Sequence, residues 1–221
     1  MNSSSPTTPF TKKRKKLSDF SSGYGSGKEK ILYVAERLFG QRGINGVSLR
    51  EIAVAAEQAN NSAVALHFGD KEGLVHAIYE TRAPLIDRIR EKRLNKAGDI
   101  DQLGILQLLE CLLLPWTDDI DEDGEHPYAN FIAQLEHYGE EYRSSLHEEL
   151  TPCAYRIITK LKQQLPDLKA EEFHLRMRLI ISLFLSAIHH HGKVGFTQRS
   201  SMSEHHLINT IITMAVASLQ A

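Results

Sequence analysis

The sequence contains only two cysteines, Cys111 and Cys153. Two cysteines cannot build the disulfide framework of a small secreted domain, so the simplest expectation is free thiols in a reducing compartment, with a single disulfide as the alternative. No secretory signal is expected either, because the basic run at 12–16 leads into Ser and Gly rather than an apolar stretch. The most apolar run, Leu179 to Ile188, is too short to span a bilayer. These absences together point to a cytoplasmic protein without a membrane partner. Alternating β patterns, an Asn-Gly hairpin and internal repeats are also missing, which argues against a sheet or a solenoid. There is no Gly-x-Ser-x-Gly, no phosphate loop and no Cys-x-x-Cys, so no catalytic residues and no cofactor are expected.

Charge is present but unevenly spread. The formal net charge of −2 divides into +4 over residues 1–27, zero over 28–82 and −6 over the rest. A basic end on an acidic body suggests a polyanionic partner met at the N-terminus. Residues 1–27, rich in Ser, Thr, Pro, Gly and Lys, are expected to form a disordered arm. In that reading Lys12, Lys13, Arg14, Lys15 and Lys16 lie along phosphates; the alternative is a solvated tail.

From Lys28 onward the periodicity is helical. Ile31, Leu32, Ala35, Leu38 and Phe39 share one helix face, and Gly43 is placed to end that helix. Ser48 and Glu51 have the spacing of a capping box, with Val47 and Ile52 as the hydrophobic staple. Leu49, Ile52, Ala53 and Ala56 continue a second buried face. A polar break at 57–59 separates it from a short segment, 60–68, with Val64 and Phe68 as a buried pair. Asp70 then caps a fourth helix through Leu74 and Ile78, inside which Pro84 is expected to kink or restart the chain. Further helices are expected near 101–115, 128–138, 144–164, 170–191 and 203–220.

Two short helices joined by a tight turn and braced by a third make a helix-turn-helix, whose second helix enters the DNA major groove. The residues expected to contact DNA are Ser48, Arg50, Asn60, Asn61, Ser62, Ala63, His67 and Lys71. Asn pairs two-fold with adenine, Ser serves several base edges, and small side chains such as Ala63 and Ala65 allow close approach to a thymine methyl. His67 and Lys71, beside the start of the fourth helix, suit phosphate and would position rather than read.

The ordered series Ile31-Leu32…Ala35…Leu38-Phe39…Gly43, Ser48-Leu49-Arg50-Glu51-Ile52-Ala53…Ala56 and Val64…His67-Phe68-Gly69-Asp70-Lys71-Glu72-Gly73-Leu74 resembles the DNA-binding domain of the tetracycline-repressor (TetR) family. Three features depart from the family pattern, one being a spacing from Ile52 to Val64 that is one residue longer than usual. Glu57-Gln58-Ala59 stands where a turn Gly is usual, and Ala65-Leu66 stands where a Tyr is frequent before His67-Phe68.

The resemblance implies an all-α protein of two units, a helix-turn-helix domain over 28–82 and a helical effector-binding and dimerisation domain over 83–221. It implies a ligand-responsive repressor that binds a pseudo-palindromic operator as a homodimer, with an unknown small-molecule effector. In the second unit the wide apolar stripes of the last two helices are expected to form the subunit interface, through Ile180, Phe184, Ile188, Ile208, Ile211, Ile212, Ala215 and Leu219. Trp116, Phe131, Tyr138, Tyr142 and Tyr155 are the candidates for a ligand pocket, with ordinary core aromatics as the alternative.

Three remaining patterns carry less. Asp119-Ile120-Asp121-Glu122-Asp123-Gly124 copies the first half of a calcium loop, but position twelve is Asn130, so a solvated acidic loop is expected. His189, His190 and His191 point in different directions on a helix and cannot share one ion. Glu171-x-x-His174 is half a di-iron motif without its second half. No metal site is expected. A metal-binding helical protein and a helical interaction module that does not bind DNA are the rival classes.

Overall fold

The structure, a computed structural model, describes residues 27–60, 62–121, 123–138, 149–191 and 203–221. The described residues form nine α-helices and no strand. They are α1 Gly27–Arg42, α2 Leu49–Ala55, α3 Ala63–Phe68, α4 Lys71–Ala97, α5 Ile105–Leu113, α6 Pro127–Tyr138, α7 Pro152–Gln163, α8 Ala170–His190 and α9 Glu204–Gln220. Single 3₁₀ turns at Ile100–Gln102 and Leu114–Thr117 flank α5. The basic arm expected at 1–27 lies outside the described residues except for Gly27, as does most of 144–151.

The first four helices start and stop where local chemistry dictates. Gly43 takes φ +77°, and its N–H donates to the Phe39 carbonyl to end α1. The capping box opens α2: Ser48 Oγ accepts from the Glu51 N–H at 3.2 Å, and Glu51 Oε2 accepts from the Ser48 N–H at 2.8 Å. Asp70 Oδ1 accepts from the Gly73 N–H at 2.8 Å and opens α4. Gly73 itself cannot be replaced there without a backbone shift, because a Cβ would sit 2.0 Å from the Phe68 carbonyl oxygen.

Helix α4 continues from Lys71 to Ala97 with Pro84 inside it, so the chain does not restart there. It carries Leu74, Val75 and Ile78 into the N-terminal core and Ile86 and Leu94 into the C-terminal one. Between them lie buried polar residues, Arg82, Asp87 and Arg90. Asp87 accepts from the backbone N–H groups of Cys153 and Ala154 at 2.8 and 3.0 Å, and so caps α7 from a neighbouring helix. Arg90 donates from Nε to the Leu112 carbonyl at 3.0 Å and lies 5.1 Å from the Trp116 ring centroid. Both cysteines are free and buried.

Helix α1 packs along α6, which in turn packs on α8. Phe39 and Phe131 stack across the first of these contacts with ring centroids 6.4 Å apart. Gly40 permits the approach: a Cβ there would lie 2.9 Å from the Asn130 Cβ and 3.1 Å from the Phe131 nitrogen. Helices α8 and α9 pack on each other, and α9 also packs on α5. Among the described residues no helix is long and apolar enough to cross a membrane.

Candidate nucleic-acid interface

Helices α2 and α3 pack on each other and are braced by α1 and α4, which is the arrangement of a helix-turn-helix. The turn between them is made by three residues. Ala56 closes α2, Glu57 takes φ +54°, and Gln58 returns its N–H to the Ala53 carbonyl at 2.9 Å, while the Glu57 N–H donates to the Val54 carbonyl at 3.0 Å. This six-to-one and five-to-two pair is a Schellman motif, and its left-handed position normally belongs to Gly. Glu57 occupies it instead and forms an ion pair with Lys30 of α1. The absent turn glycine therefore leaves the geometry intact.

Helix α3 begins three residues later than the sequence suggests. Asn60 Oδ1 accepts from the Ser62 N–H at 2.8 Å, an Asx turn that competes with helix and delays entry until Ala63. The delay changes which residues face outward. Ala63 is buried with Val64, so Ala63 is corrected from the contact set to the core; Ser62, Ala65, Leu66 and His67 are exposed. Asn60 is exposed, with one face of its carbonyl oxygen already engaged. Asn61 lies outside the described residues.

On α2, Ser48 and Arg50 are exposed and line a shallow depression with Leu38, Arg42, Glu51, Val54 and Ala55. Arg42 binds Glu51 at 2.9 Å and the Gly46 carbonyl at 3.1 Å. The Ser48 N–H, with Arg42 and the Ser48 hydroxyl assisting, pulls the Glu51 carboxyl down to about 2. Lys71 donates to the Ile44 carbonyl at 3.0 Å and ties the loop before α2 to the start of α4.

Two basic residues of this region turn away from the α2–α3 face. Arg37 forms ion pairs with Asp121 and, at 2.7 Å, with Asp123. Arg82 lies 2.8 Å from Glu36 and pairs with Asp119, all three side chains being buried. The acidic segment, expected as a solvated loop, is so only in part: Asp119 and Asp121 are buried against α4 and α1, whereas Asp123 and Gly124 are exposed. Burial pushes the Glu36 carboxyl up to about 7, with Arg82 opposing and Asp119 reinforcing the shift. Burial likewise raises Asp119, opposed chiefly by Arg82. His126 is buried beside them, 3.1 Å from the Asp119 carbonyl and 3.2 Å from Glu204 of α9. Single-residue patterns could not reveal this cluster, because apart from the Asp119–His126 pair its members lie 37 to 168 positions apart and meet only when α1, α4, the 119–126 segment and α9 pack.

The expected interface residues are corrected as well. Ile180, Phe184, Ile188, Ile208, Ile211, Ile212, Ala215 and Leu219 are all buried inside the chain itself, where α8 meets α6 and α9 meets α5. The apolar residues that α8 leaves exposed are Leu175, Leu179 and Leu183, four residues apart on one stripe, with Met214 exposed on α9. Of the pocket candidates, Trp116 packs on Phe184 at 6.2 Å, and Phe131 stacks on Phe39 and Tyr128. Tyr155 is 52 % exposed. Tyr142 and the Tyr138 side chain lie outside the described set. His189 binds Asn130 at 3.0 Å and Gln134 at 3.3 Å. Among the described residues no three His, Cys, Asp or Glu are grouped to hold a metal ion.

Comparison with known proteins agrees with this geometry. Residues 31–78 match the family model for bacterial regulatory proteins of the tetR family, and residues 110–218 match that for the tetracyclin repressor-like C-terminal domain. No curated protein matches the chain. A crystal structure described as a TetR-family transcription regulator from Shewanella sp. PV-4 is similar in fold, with a TM-score of 0.58 and 18 % identity over 88 % of this chain and 96 % of that one. The superantigen pfit is similar at a TM-score of 0.51 and 16 % identity, covering 90 % of this chain and 94 % of its own. A chain described as a TetR-family transcriptional regulator from Mesorhizobium loti MAFF303099 gives a TM-score of 0.47 and 18 % identity over 88 % and 95 %.

Proposed function

The chain belongs to the TetR family of DNA-binding transcription regulators, and we propose that it acts as a ligand-responsive repressor that grips a pseudo-palindromic operator as a homodimer. Residues 28–82 serve as the head and 83–221 as the body, with α4 shared between them. The observation that carries this reading is the joint between the two. α1 of the head is held on α6 of the body by the Phe39–Phe131 stack, and on the 119–123 segment by Arg37 and Arg82. A ligand that displaces α6 or that segment would tilt α1, and with it α2 and α3. A symmetric pair of heads would then lose its match to two half-sites, which lowers affinity.

In this reading Ser48, Arg50, Asn60, Asn61, Ser62, His67 and Lys71 contact the operator. Arg37 and Arg82 are committed to the body, so the non-specific part of the affinity falls to the other basic residues of the head, among them Lys28, Arg50 and Lys71, and to the arm at 12–16. The Leu175–Leu179–Leu183 stripe of α8 with Met214 of α9 forms the isologous contact between subunits.

The test is anisotropy of labelled DNA from the promoter region upstream of its own gene, titrated with the full chain at two salt concentrations. Saturable binding that beats a scrambled duplex and weakens with salt supports the reading, and removal of residues 1–16 should then flatten the salt dependence. Equal affinity for both duplexes at every salt concentration counts against operator recognition.

A further inference from the structure

Apart from His67, the exposed residues of α3 carry little hydrogen-bonding chemistry for a helix that reads DNA. Ser62, Ala65 and Leu66 stand at i, i+3 and i+4 and share that face, and all three are exposed. The Ser62 hydroxyl is the one polar side chain among them, while the Asn60 carbonyl oxygen before them is already engaged by the Ser62 N–H. Leu66 is 80 % exposed, the most exposed of the chain's large apolar residues that the structure describes, and it takes no part in the protein's core. An isobutyl group cannot bind phosphate and cannot donate to or accept from a base edge. The major groove offers it one apolar partner, the C5-methyl of thymine. Ala65 beside it adds no bulk that would hold the helix off the groove.

We propose that Leu66 is a specificity residue of this protein, packing against a thymine C5-methyl once in each operator half-site. The proposal rests on the reading of α3 as the recognition helix. It predicts discrimination against cytosine and uracil at that position without any hydrogen bond to the base.

The experiment uses the full-length chain. An operator is first recovered from a pool of random duplexes by repeated selection. Each thymine of the recovered duplex is then replaced in turn by deoxyuridine, which removes the methyl and keeps every hydrogen-bonding edge. One thymine per half-site should be sensitive, with the wild-type protein binding about fourfold more weakly, the equivalent of ~0.8 kcal/mol for a buried methyl-sized group. Leu66→Ala should bind the thymine duplex more weakly and show no further loss with deoxyuridine at that position. The variant replaces an exposed residue with a better helix former, so folding is not at stake. Two results overturn the inference while leaving DNA binding in place: no deoxyuridine duplex differs from the parent, or Leu66→Ala loses as much as the wild type at the sensitive thymine. A selection that enriches no duplex overturns the recognition-helix reading, and the inference with it.

Discussion

Glu57 holds a backbone conformation that glycine adopts without strain, at φ +54°. A non-glycine residue in the left-handed region costs on the order of 1 kcal/mol, and its exposed ion pair with Lys30 returns little of that. Glu57→Gly is expected to raise stability by about 0.5–1 kcal/mol in urea unfolding, whereas Glu57→Ala, which keeps the Cβ and loses the pair, should not. The opposite kind of cost sits at Glu36. Its carboxyl is raised from 4.5 to about 7, mainly by burial. The folded state therefore holds a proton that the unfolded chain releases, so the associated stability is full below pH 4.5 and is lost as pH rises through about 7. Wild-type stability should decline across that window by about 3 kcal/mol. Glu36→Gln keeps Arg82 paired with Asp119 and should flatten the decline; an unchanged slope in urea titrations of the variant would assign the proton elsewhere.

Single helices here are defined by contacts outside themselves. Within α1, Gly40 would ordinarily be a weak point, and Gly→Ala in a helix interior is usually stabilising by up to about 1 kcal/mol. Packing on α6 reverses the sign. A methyl at Gly40 meets the Asn130 Cβ and the Phe131 nitrogen, neither of which is the free end of a side chain. Gly40→Ala is expected to lower stability by about 1–3 kcal/mol in thermal unfolding, through displacement of α6. A stabilised variant would show that α1 and α6 do not approach so closely. Helix α4 shows why its periodicity is hard to read: Arg82, Asp87 and Arg90 are buried on a helix whose apolar stripe they interrupt. Each of these polar groups is held by a partner in another element, which permits burial. The sequence reading therefore located α4 from its cap and first two turns alone, and left its length undefined.

At the scale of the whole molecule, the head is fastened to the body by charge as well as by apolar contact. Arg37 and Arg82 account for part of a head whose formal charge is zero, and the acidic segment neutralises both. In the proposed homodimer the exposed leucines of α8 are the counterpart of this joint. Leu179 is 58 % exposed on a stripe with Leu175 and Leu183. Leu179→Asp is expected to convert a dimer to a monomer in sedimentation velocity with helicity unchanged, because it places a charge in an apolar contact without touching the core. Operator affinity should fall more than tenfold, since one head then binds without its partner. A variant that remains dimeric would move the subunit contact away from α8.

The order of helices, their caps and the head's helix-turn-helix follow from the sequence by itself. Each depends on residues within a few positions of one another: the Ser48–Glu51 box, the Asp70 cap, Gly43 at a left-handed stop, and the apolar repeats of α1 and α8. Tertiary structure decided the rest. It put Ala63 in the core and Leu66 outside, because the Asx turn at Asn60 delayed the helix. It buried Asp119 and Asp121 of an acidic stretch as partners of Arg82 and Arg37, and it hid one face of α8 while leaving another bare. A helix apolar on nearly every side shows that neighbours exist, but which face meets its own chain and which is left exposed is set by packing among elements far apart in sequence.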